Sequence, residues 1–375
     1  MSEMRWNPLL GEWVVTATHR QDRTYKPPKE HCPFCPTEPG AFPTEVPSPD
    51  YEIVVFENRF PSFRSPAPVP DVDGTDLYPV APAQGVCEVV LYSPDHHKTL
   101  VDMPESHIER LVRVWTDRYE ELGSRDGIEY VFIFENRGDA VGVTLHHPHG
   151  QIYAFPFVPP IPRRELEQAA RHREATGRCL LCDIVAAETS QGVGATLGAA
   201  EATSGDWPIG IGARTASGAG PRPVPTGAAP GLGRNRVVVE NDDFAAYVPF
   251  FARYPYEVHI AAKRHKGSLL DFSDAERLSL ARILKAQVSA YDNLFGFALP
   301  YMMVMHQAPT GRAYREVEAY REGAHFHIEF YPLNRTADKL KYLAGCESGA
   351  GTFITDMSPE YQAERLREAL AKSRG

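Results

Sequence analysis

The sequence contains no long hydrophobic run and little positive charge, and both absences exclude classes of protein. None of its apolar stretches approaches the ~18 residues that a membrane-spanning helix needs, and the N-terminal segment MSEMRWNPLLGEWVV lacks the features of a secretion signal. Asp and Glu outnumber Lys and Arg by 49 to 39, a net charge of −10. This balance argues against a nucleic-acid partner but leaves room for a local phosphate site. We therefore expect a cytoplasmic protein that binds neither membranes nor nucleic acids.

Cysteine is also scarce, with 6 residues in 375, and the pattern is uneven. Four of the six form two C-x-x-C pairs, Cys32 with Cys35 and Cys179 with Cys182. Two thiols at this spacing can bind one tetrahedral zinc, usually with two further ligands. A thioredoxin-like redox pair is the alternative, but it requires a βαβ context that the Pro-rich CPFC segment lacks. The pairs therefore favour zinc.

The chain is long enough for two domains, and its two halves repeat one pattern. Apolar runs from Glu88 and Glu257 are each followed eight residues later by a histidine, His96 or His265, and then by an amphipathic helix. A second apolar run follows each helix, and each half then reaches a histidine cluster, HPHGQ or HFHIE. Each half is preceded by its own C-x-x-C. The repeat predicts a duplicated α+β domain.

The two helices are expected to start at Pro104 and Ser273. Their buried faces are predicted at Ile108, Leu111, Val112, Trp115, Tyr119 and Leu122 in the first helix, and at Leu280, Leu284, Val288, Tyr291 and Phe295 in the second.

The repeat also assigns metal ligands, because the same residue types recur in the same order. The predicted Cys₂His₂ sets are Cys32, Cys35, His96 and His147 in the first half, and Cys179, Cys182, His265 and His325 in the second. Four protein ligands leave zinc without an open position, so we expect structural sites.

A Gly-rich segment separates the halves. Between Thr189 and Arg236 lie 11 of the 29 glycines without apolar periodicity, which indicates a flexible insert. The domains are therefore expected at residues 1–188, which include HPHGQ, and 237–375, joined by the insert at 189–236; the second C-x-x-C, at 179–182, precedes the insert.

HPHGQ is the segment with catalytic potential. In an extended chain His147, His149 and Gln151 share one face, and Gly150 is expected to let a ligand approach. If His147 binds zinc, His149 remains as the imidazole that can attack phosphorus, provided that its other ring nitrogen donates a hydrogen bond, most simply to a nearby backbone carbonyl. Gln151 can donate to a phosphoryl oxygen. His327 has Ile328 and Glu329 beside it instead, so only the first half is expected to be catalytic.

These segments resemble a known family. HPHGQ with GVTL before it, SPDHHKT around His96, FENR at 56–59 and FENRG at 134–138 are similar to the galactose-1-phosphate uridylyltransferases of the histidine-triad superfamily. The resemblance implies an α+β fold of tandem duplicated histidine-triad-like domains, each an antiparallel sheet with packed helices. It also implies that His149 takes a uridylyl group from UDP-glucose and passes it to galactose 1-phosphate in a ping-pong cycle.

The resemblance implies further site residues. Positions that contact nucleotide, phosphate or sugar match Arg20, Arg23, Asn58, Asn136, Thr144 and Gln151. Lys341 and Glu347 match a segment that reaches the active site of the partner subunit, which implies a homodimer. Thr144 stands where many members have Ser, and Cys346 where some have Tyr.

Some members also build a metal site from one Glu and three His. Glu165, His265 and His327 match three of these ligands, and Glu329 stands at the fourth. Because His265 also belongs to the second cysteine set, the two sets are expected to exclude each other, and the cysteine set is favoured.

Three alternatives remain open. Hydrolases of the superfamily carry a third His where this chain has Gln151, and an amide cannot supply a proton, so transfer is favoured. An ADP-sugar phosphorylase or adenylyltransferase shares HPHGQ and the double C-x-x-C. A zinc-stabilised nucleotide-binding module would leave His149 without a role.

Overall fold

The computed structural model describes residues 2–22, 32–38, 40, 43–48, 50–189 and 235–372, which contain twelve strands and eight α-helices. The strands are β1 Ser2–Asn7, β2 Glu12–Ala17, β3 Val54–Glu57, β4 Val80–Pro82, β5 Val86–Leu91, β6 Tyr130–Arg137, β7 His149–Phe155, β8 Val237–Glu240, β9 Phe244–Tyr247, β10 Val258–Ala262, β11 Tyr301–His306 and β12 His327–Pro332. The helices are α1 Glu105–Gly123, α2 Pro160–Thr176, α3 Leu180–Thr189, α4 Asp274–Phe295, α5 Gly311–Glu316, α6 Glu318–Gly323, α7 Gly345–Ala350 and α8 Pro359–Lys372.

Nine strands form one antiparallel sheet in the order β3-β5-β7-β6-β11-β12-β10-β9-β8. The first-half order β3-β5-β7-β6 is mirrored by β9-β10-β12-β11 in the second half, with β8 added at the edge. The halves join where β6 pairs with β11, in a register that sets Arg137 opposite Tyr301. The duplicated α+β fold with antiparallel sheets is confirmed.

The two long helices lie where the repeat predicts them. Pro104 and Ser273 are the N-cap residues of α1 and α4, and Ser273 forms a capping box with Glu276. All the predicted inward residues are buried, apart from Phe295, which is partly buried against the same core. The helix predictions from periodicity are therefore confirmed.

One face of the sheet packs on α1 and α4 in a hydrophobic core that is continuous across both halves. On β7, Ile152 and Ala154 point into this core, and on β12, Ile328 and Phe330 do. The alternate residues point to the opposite face. That face carries the histidines of both halves.

The elements around this sheet complete the fold. A small sheet of order β2-β1-β4 adds to the first half. The α3 helix precedes the predicted insert but packs against second-half residues, including Tyr247 and Ala261. Most of the insert, residues 190–234, lies outside the described residues, and the domain boundaries remain a prediction. Within the described ranges, no helix is long and apolar enough to cross a membrane.

Candidate active site and metal centres

His149 begins β7 and is half-buried on the face opposite the helical core. Its Nδ1 lies 2.7 Å from the carbonyl oxygen of His147. A carbonyl can only accept, so Nδ1 carries the hydrogen and the lone pair of the neutral ring is on Nε2. This is the hydrogen bond that a nucleophilic His149 requires. Gln151 follows on the same face of the strand.

The imidazole of His149 is also held by an aromatic ring from the CPFC loop. Phe34 is buried, and its ring meets the His149 ring edge to face, with centroids 5.1 Å apart. On another side Phe34 packs against Phe56 of β3. Edge-to-face pairs prefer this separation and fix ring orientation. The loop that holds two cysteines therefore also orients the candidate nucleophile.

The first predicted metal set comes together beside this ring. Donor atoms of Cys32, Cys35, His96 and His147 all lie within 4.8 Å of one another. Cys35 Sγ is 3.6 Å from His96 Nδ1 and 3.7 Å from His147 Nδ1. His147 Nε2 faces the Ser93 carbonyl at 2.7 Å, an outer contact that fixes the ring.

The second predicted set also comes together. Donor atoms of Cys179, Cys182, His265 and His325 lie within 4.8 Å of one another. His325 Nδ1 is 3.5 Å from both sulfurs, and Cys182 Sγ is 3.9 Å from His265 Nδ1. His325 Nε2 faces the Ala262 carbonyl at 2.8 Å, so the outer contact of His147 is repeated.

Both sets fit tetrahedral zinc. Sulfur and nitrogen donors bonded to one zinc ion at ~2.3 and ~2.1 Å lie about 3.6 Å apart, close to the separations in both clusters. Burial, followed by the charge of Cys32, raises the pKa of Cys35 to about 12, so a cation is needed if both thiols are to ionise. Burial lowers the pKa of His147 to about 4, which leaves the neutral imidazole that a metal binds.

A third cluster lies in the second half and corrects one expectation. Donor atoms of Glu165, His306, His327 and Glu329 lie within 4.8 Å of one another. The set expected from family resemblance had His265 in place of His306, and that assignment was wrong. His265 belongs to the cysteine cluster, so the two clusters share no residue and do not exclude each other.

The geometry of this third cluster suits a divalent cation. Glu165 Oε2 is 2.9 Å from His306 Nδ1, and His327 Nε2 is 3.5 Å from Glu329 Oε1. Burial would lower the pKa of His327, but Glu329 and Glu165 raise it to about 9. The cluster lines a cavity of about 310 Å³. Two carboxylates with two imidazoles form a harder donor set than the cysteine clusters.

Comparison with known proteins shows the family and supports the fold. Residues 1–159 match the model of the galactose-1-phosphate uridyl transferase N-terminal domain, and residues 232–374 match that of the C-terminal domain. The chain belongs to the galactose-1-phosphate uridylyltransferase family. A galactose-1-phosphate uridylyltransferase of Thermotoga maritima is 38% identical over 98% of each chain. One of Streptomyces lividans is 34% identical over 98% of this chain and 87% of its own. A solved uridylyltransferase structure covers 100% of both chains, with 31% identity and a TM-score of 0.76.

The substrate-contact residues implied by the uridylyltransferase family lie in several elements. Arg20 lies in the short 3₁₀ helix Thr18–Asp22 that follows β2, and its Nη1 donates to Ser62 Oγ at 2.6 Å and to Tyr153 Oη at 3.3 Å. Tyr153 lies on β7 on the same face as His149 and Gln151. Arg20 is therefore anchored to the candidate catalytic strand.

The other implied contacts are spread over neighbouring segments. Asn58 follows β3 and accepts a hydrogen bond from the Phe60 amide through Oδ1. Asn136 lies on β6 opposite Met302, and Thr144 lies between β6 and β7. Arg23 lies outside the described residues.

Lys341 and Glu347 lie together in the second half. Lys341 is buried and donates through Nζ to Glu347 Oε1 at 3.1 Å and to the Ile354 carbonyl at 2.6 Å. Phe353 of the same segment packs on Tyr254. The role of Lys341 and Glu347 at a partner subunit's active site remains a prediction.

Three residues at these sites were missed by sequence reasoning. His306 ends the apolar run YMMVMH, and a histidine in that position was the available signal. Phe34 lies between two assigned ligands, which was a signal of proximity but not of contact. Tyr153 could have been placed from strand alternation, since it shares a face with Gln151.

Proposed function

We propose that this chain transfers a uridylyl group from UDP-glucose to galactose 1-phosphate through a covalent intermediate on His149. The observation that carries this proposal is the hydrogen bond from His149 Nδ1 to the His147 carbonyl, because it fixes the hydrogen on Nδ1 and the lone pair of the neutral ring on Nε2. The names of the relatives in Thermotoga maritima and Streptomyces lividans support the same activity.

The reaction has two displacements at the same phosphorus. His149 Nε2 attacks the α-phosphorus of UDP-glucose; the N–P bond forms as the bond to the bridging oxygen breaks, and glucose 1-phosphate leaves. A phosphate oxygen of galactose 1-phosphate then attacks that phosphorus. The N–P bond breaks, UDP-galactose leaves and the neutral imidazole is restored.

The surrounding residues bind and orient. The Gln151 amide donates to a non-bridging oxygen as charge builds on it, and Arg20 supplies a positive charge to the phosphates. Asn58, Asn136, Thr144 and Arg23 complete the proposed substrate contacts. Zinc held by the first cysteine cluster would fix His147 and thus the carbonyl that orients His149, a structural role.

The remaining assignments are proposed on family resemblance. We infer a cytoplasmic homodimer in which Lys341 and Glu347 approach the partner subunit's nucleotide. The second cysteine cluster would hold another structural zinc.

The proposal is tested with UDP-glucose labelled at the α-phosphorus. Wild-type protein should acquire about one label per active site in a form that is labile to acid and stable to base, and galactose 1-phosphate should discharge it as UDP-galactose. His149→Asn should take up no label. The matched control is His146→Asn, which changes an exposed neighbouring histidine and should label normally.

Other outcomes separate the alternatives. Labelling by ADP-glucose but not UDP-glucose would favour the ADP-sugar enzyme, which shares HPHGQ and the double C-x-x-C. Release of UMP without transfer would favour a hydrolase. Nucleotide binding with normal zinc content but no label and no exchange would contradict catalysis by His149.

A further inference from the structure

Gly150 lies between the two candidate catalytic residues, and its missing side chain would point away from them. Its neighbours His149 and Gln151 face the substrate side, so a β-carbon on Gly150 would face the helical core. A β-carbon built there overlaps the hydroxyl of Tyr92, with Tyr92 Cζ at 3.1 Å and the Phe134 carbonyl oxygen at 3.2 Å. The place that a side chain at position 150 would occupy therefore lies on the core side of β7, and not on the side where a ligand is expected to approach.

Tyr92 is fixed on several sides. It follows β5, it is 1% exposed, and its amide donates to the Pro148 carbonyl at 3.0 Å. Its own carbonyl accepts from His107 Nε2 at 2.6 Å. The ring packs edge to face on Trp115 of α1. With both ends of the residue held, the hydroxyl has little freedom to move away from Gly150.

A buried carboxyl group lies behind that hydroxyl. Glu135 of β6 is 7% exposed and accepts a hydrogen bond from Tyr301 Oη of β11 at 3.1 Å. Its charge is one of the causes that raise the pKa of Tyr92 well above the ordinary value, after burial itself. The Tyr92 hydroxyl therefore lies between the backbone of β7 and a polar group of β6 that is hydrogen-bonded to β11 of the second half.

We propose that Tyr92 is a positioning residue for His149, because the Tyr92 hydroxyl packs against the backbone at Gly150. Position 150 is then glycine because this hydroxyl occupies the place that a β-carbon would take. Tyr92 touches no substrate in this proposal. It acts by fixing the position of the β7 backbone relative to the core, and thus the positions of the His149 and Gln151 side chains. The proposal rests on the proposed function of His149.

The proposal is distinguishable from one in which glycine serves only ligand approach. If the Tyr92 hydroxyl is the main obstacle, Gly150→Ala displaces β7, and Tyr92→Phe in the same chain removes the closest contact and restores part of the position of the strand. If ligand approach alone requires glycine, removing a hydroxyl on the opposite side of the strand restores nothing. The double variant therefore decides between them.

The experiment compares wild type, Gly150→Ala, Tyr92→Phe and the double variant in exchange between UDP-glucose and galactose 1-phosphate. Since a displacement of ~1 Å at a reacting group can cost about 100-fold, Gly150→Ala should lower kcat by about that factor while KM changes less. Tyr92→Phe alone should lower kcat by less than about tenfold. The double variant should recover at least about tenfold of the kcat lost in Gly150→Ala, together with its capacity for labelling on His149.

The matched control is Tyr247→Phe, which removes another buried tyrosine hydroxyl, on β9. In the Gly150→Ala background it should recover nothing. A double variant with Tyr92→Phe that is no faster than Gly150→Ala would overturn the proposal, as would equal recovery with Tyr247→Phe.

Thermal unfolding and zinc content are measured for every variant. If the wild type neither labels nor exchanges, the proposed function fails, and the melting temperatures still test the packing. Gly150→Ala should then melt lower than wild type, and Tyr92→Phe should restore the melting temperature of the double variant. Strictly additive shifts would overturn the inference.

Discussion

His149 and His327 make the same hydrogen bond, each donating from Nδ1 to the carbonyl of the histidine two positions before it. What differs is the residue two positions later. Gln151 in the first half is a neutral donor, whereas Glu329 in the second is a buried carboxylate 3.5 Å from His327 Nε2. The same ring geometry therefore suits attack on phosphorus in one half and cation binding in the other.

A buried residue near the active site gives a pH-dependent prediction. Burial raises the pKa of Glu135 to about 7, so its protonated form favours folding, and that stability is present at low pH and lost as the pH rises towards 7. Glu135→Gln resembles the protonated form. Its free energy of unfolding relative to wild type should rise by about 2.5 kcal/mol between pH 5 and pH 8, measured by urea denaturation.

The control for this prediction is Glu120→Gln, a change at an exposed glutamate of α1. Its difference from wild type should be the same at both pH values. A Glu135→Gln variant whose difference is likewise constant with pH would show that Glu135 is ionised in the folded protein throughout this range.

At the residue scale, the sequence predicts the role of a side chain where the same residue type recurs at the same place in both halves. The two cysteine sets were predictable because the same four ligands recur in the same order. His306 was not assigned, because a single histidine at a strand end has no partner in the pattern. The contact between Tyr92 and Gly150 depends on which way a strand faces and on a hydroxyl position, neither of which the spacing of residues contains.

Among the elements, α3 is the helix that the second cysteine cluster links to the second-half sheet. Cys182 lies on α3 and Cys179 immediately precedes it, while their partner His325 lies just before β12. Zinc would thus join a helix from before the insert to the second-half sheet. The first cluster instead joins the CPFC loop to the segment that leads into β7.

The two clusters should respond differently to loss of one ligand. Cys35→Ser should remove one equivalent of zinc and most of kcat, because the carbonyl that orients His149 belongs to His147. Cys182→Ser should also remove one equivalent but keep most of kcat, since its cluster borders His327. Metal analysis and steady-state kinetics on the same preparations measure both effects.

The control is the double variant Cys35→Ser/Cys182→Ser, which should lack two equivalents of zinc if the two sites bind the metal independently. Equal loss of kcat in the two single variants would contradict the assignment of orientation to the first cluster. Unchanged metal content in either variant would contradict zinc binding at that site.

The predictability of elements follows from their patterns. The helices α1 and α4 have long amphipathic periods, and the strands β5, β6, β10 and β11 were apolar runs that occur twice. The small sheet of β1, β2 and β4 was not predicted. Its strands carry largely half-exposed residues and have no counterpart in the repeat, so neither periodicity nor duplication marks them.

At the scale of the whole molecule, the pairing of β6 with β11 joins the strands of both repeats into one sheet, which packs on one continuous core. Across this junction Arg137 bonds Asp292 at 2.9 Å, and Glu135 accepts from Tyr301. Duplication was visible in the sequence. The joining of the two half-sheets into one sheet was not visible, because the sequence of a repeat does not indicate which of its edge strands pairs with the other repeat.

The predicted insert can be tested by replacing residues 190–234 with eight Gly and Ser residues. Glu188 and Arg236, on either side, are buried and paired at 2.8 Å, so a short linker can span their separation. If the 45 residues form a flexible connection, the shorter loop should stabilise the fold by about 1–2 kcal/mol through lower closure entropy. Unfolding and turnover are both measured.

A control with 45 residues of Gly and Ser in place of the insert should match wild type in stability. Loss of turnover in both replacements, with zinc content and melting retained, would contradict the interpretation as a linker and assign the insert a part in the reaction.

The continuous core also bears on how the chain tolerates mutation. The side chains proposed to react lie in the first half, yet Tyr301, Met303 and Phe330 of the second half pack in the same core as Ile133 and Ile152. A random library screened for galactose utilisation should therefore find inactivating substitutions in both halves. Inactivating substitutions in the second half are then expected to act by destabilising the core that supports β7.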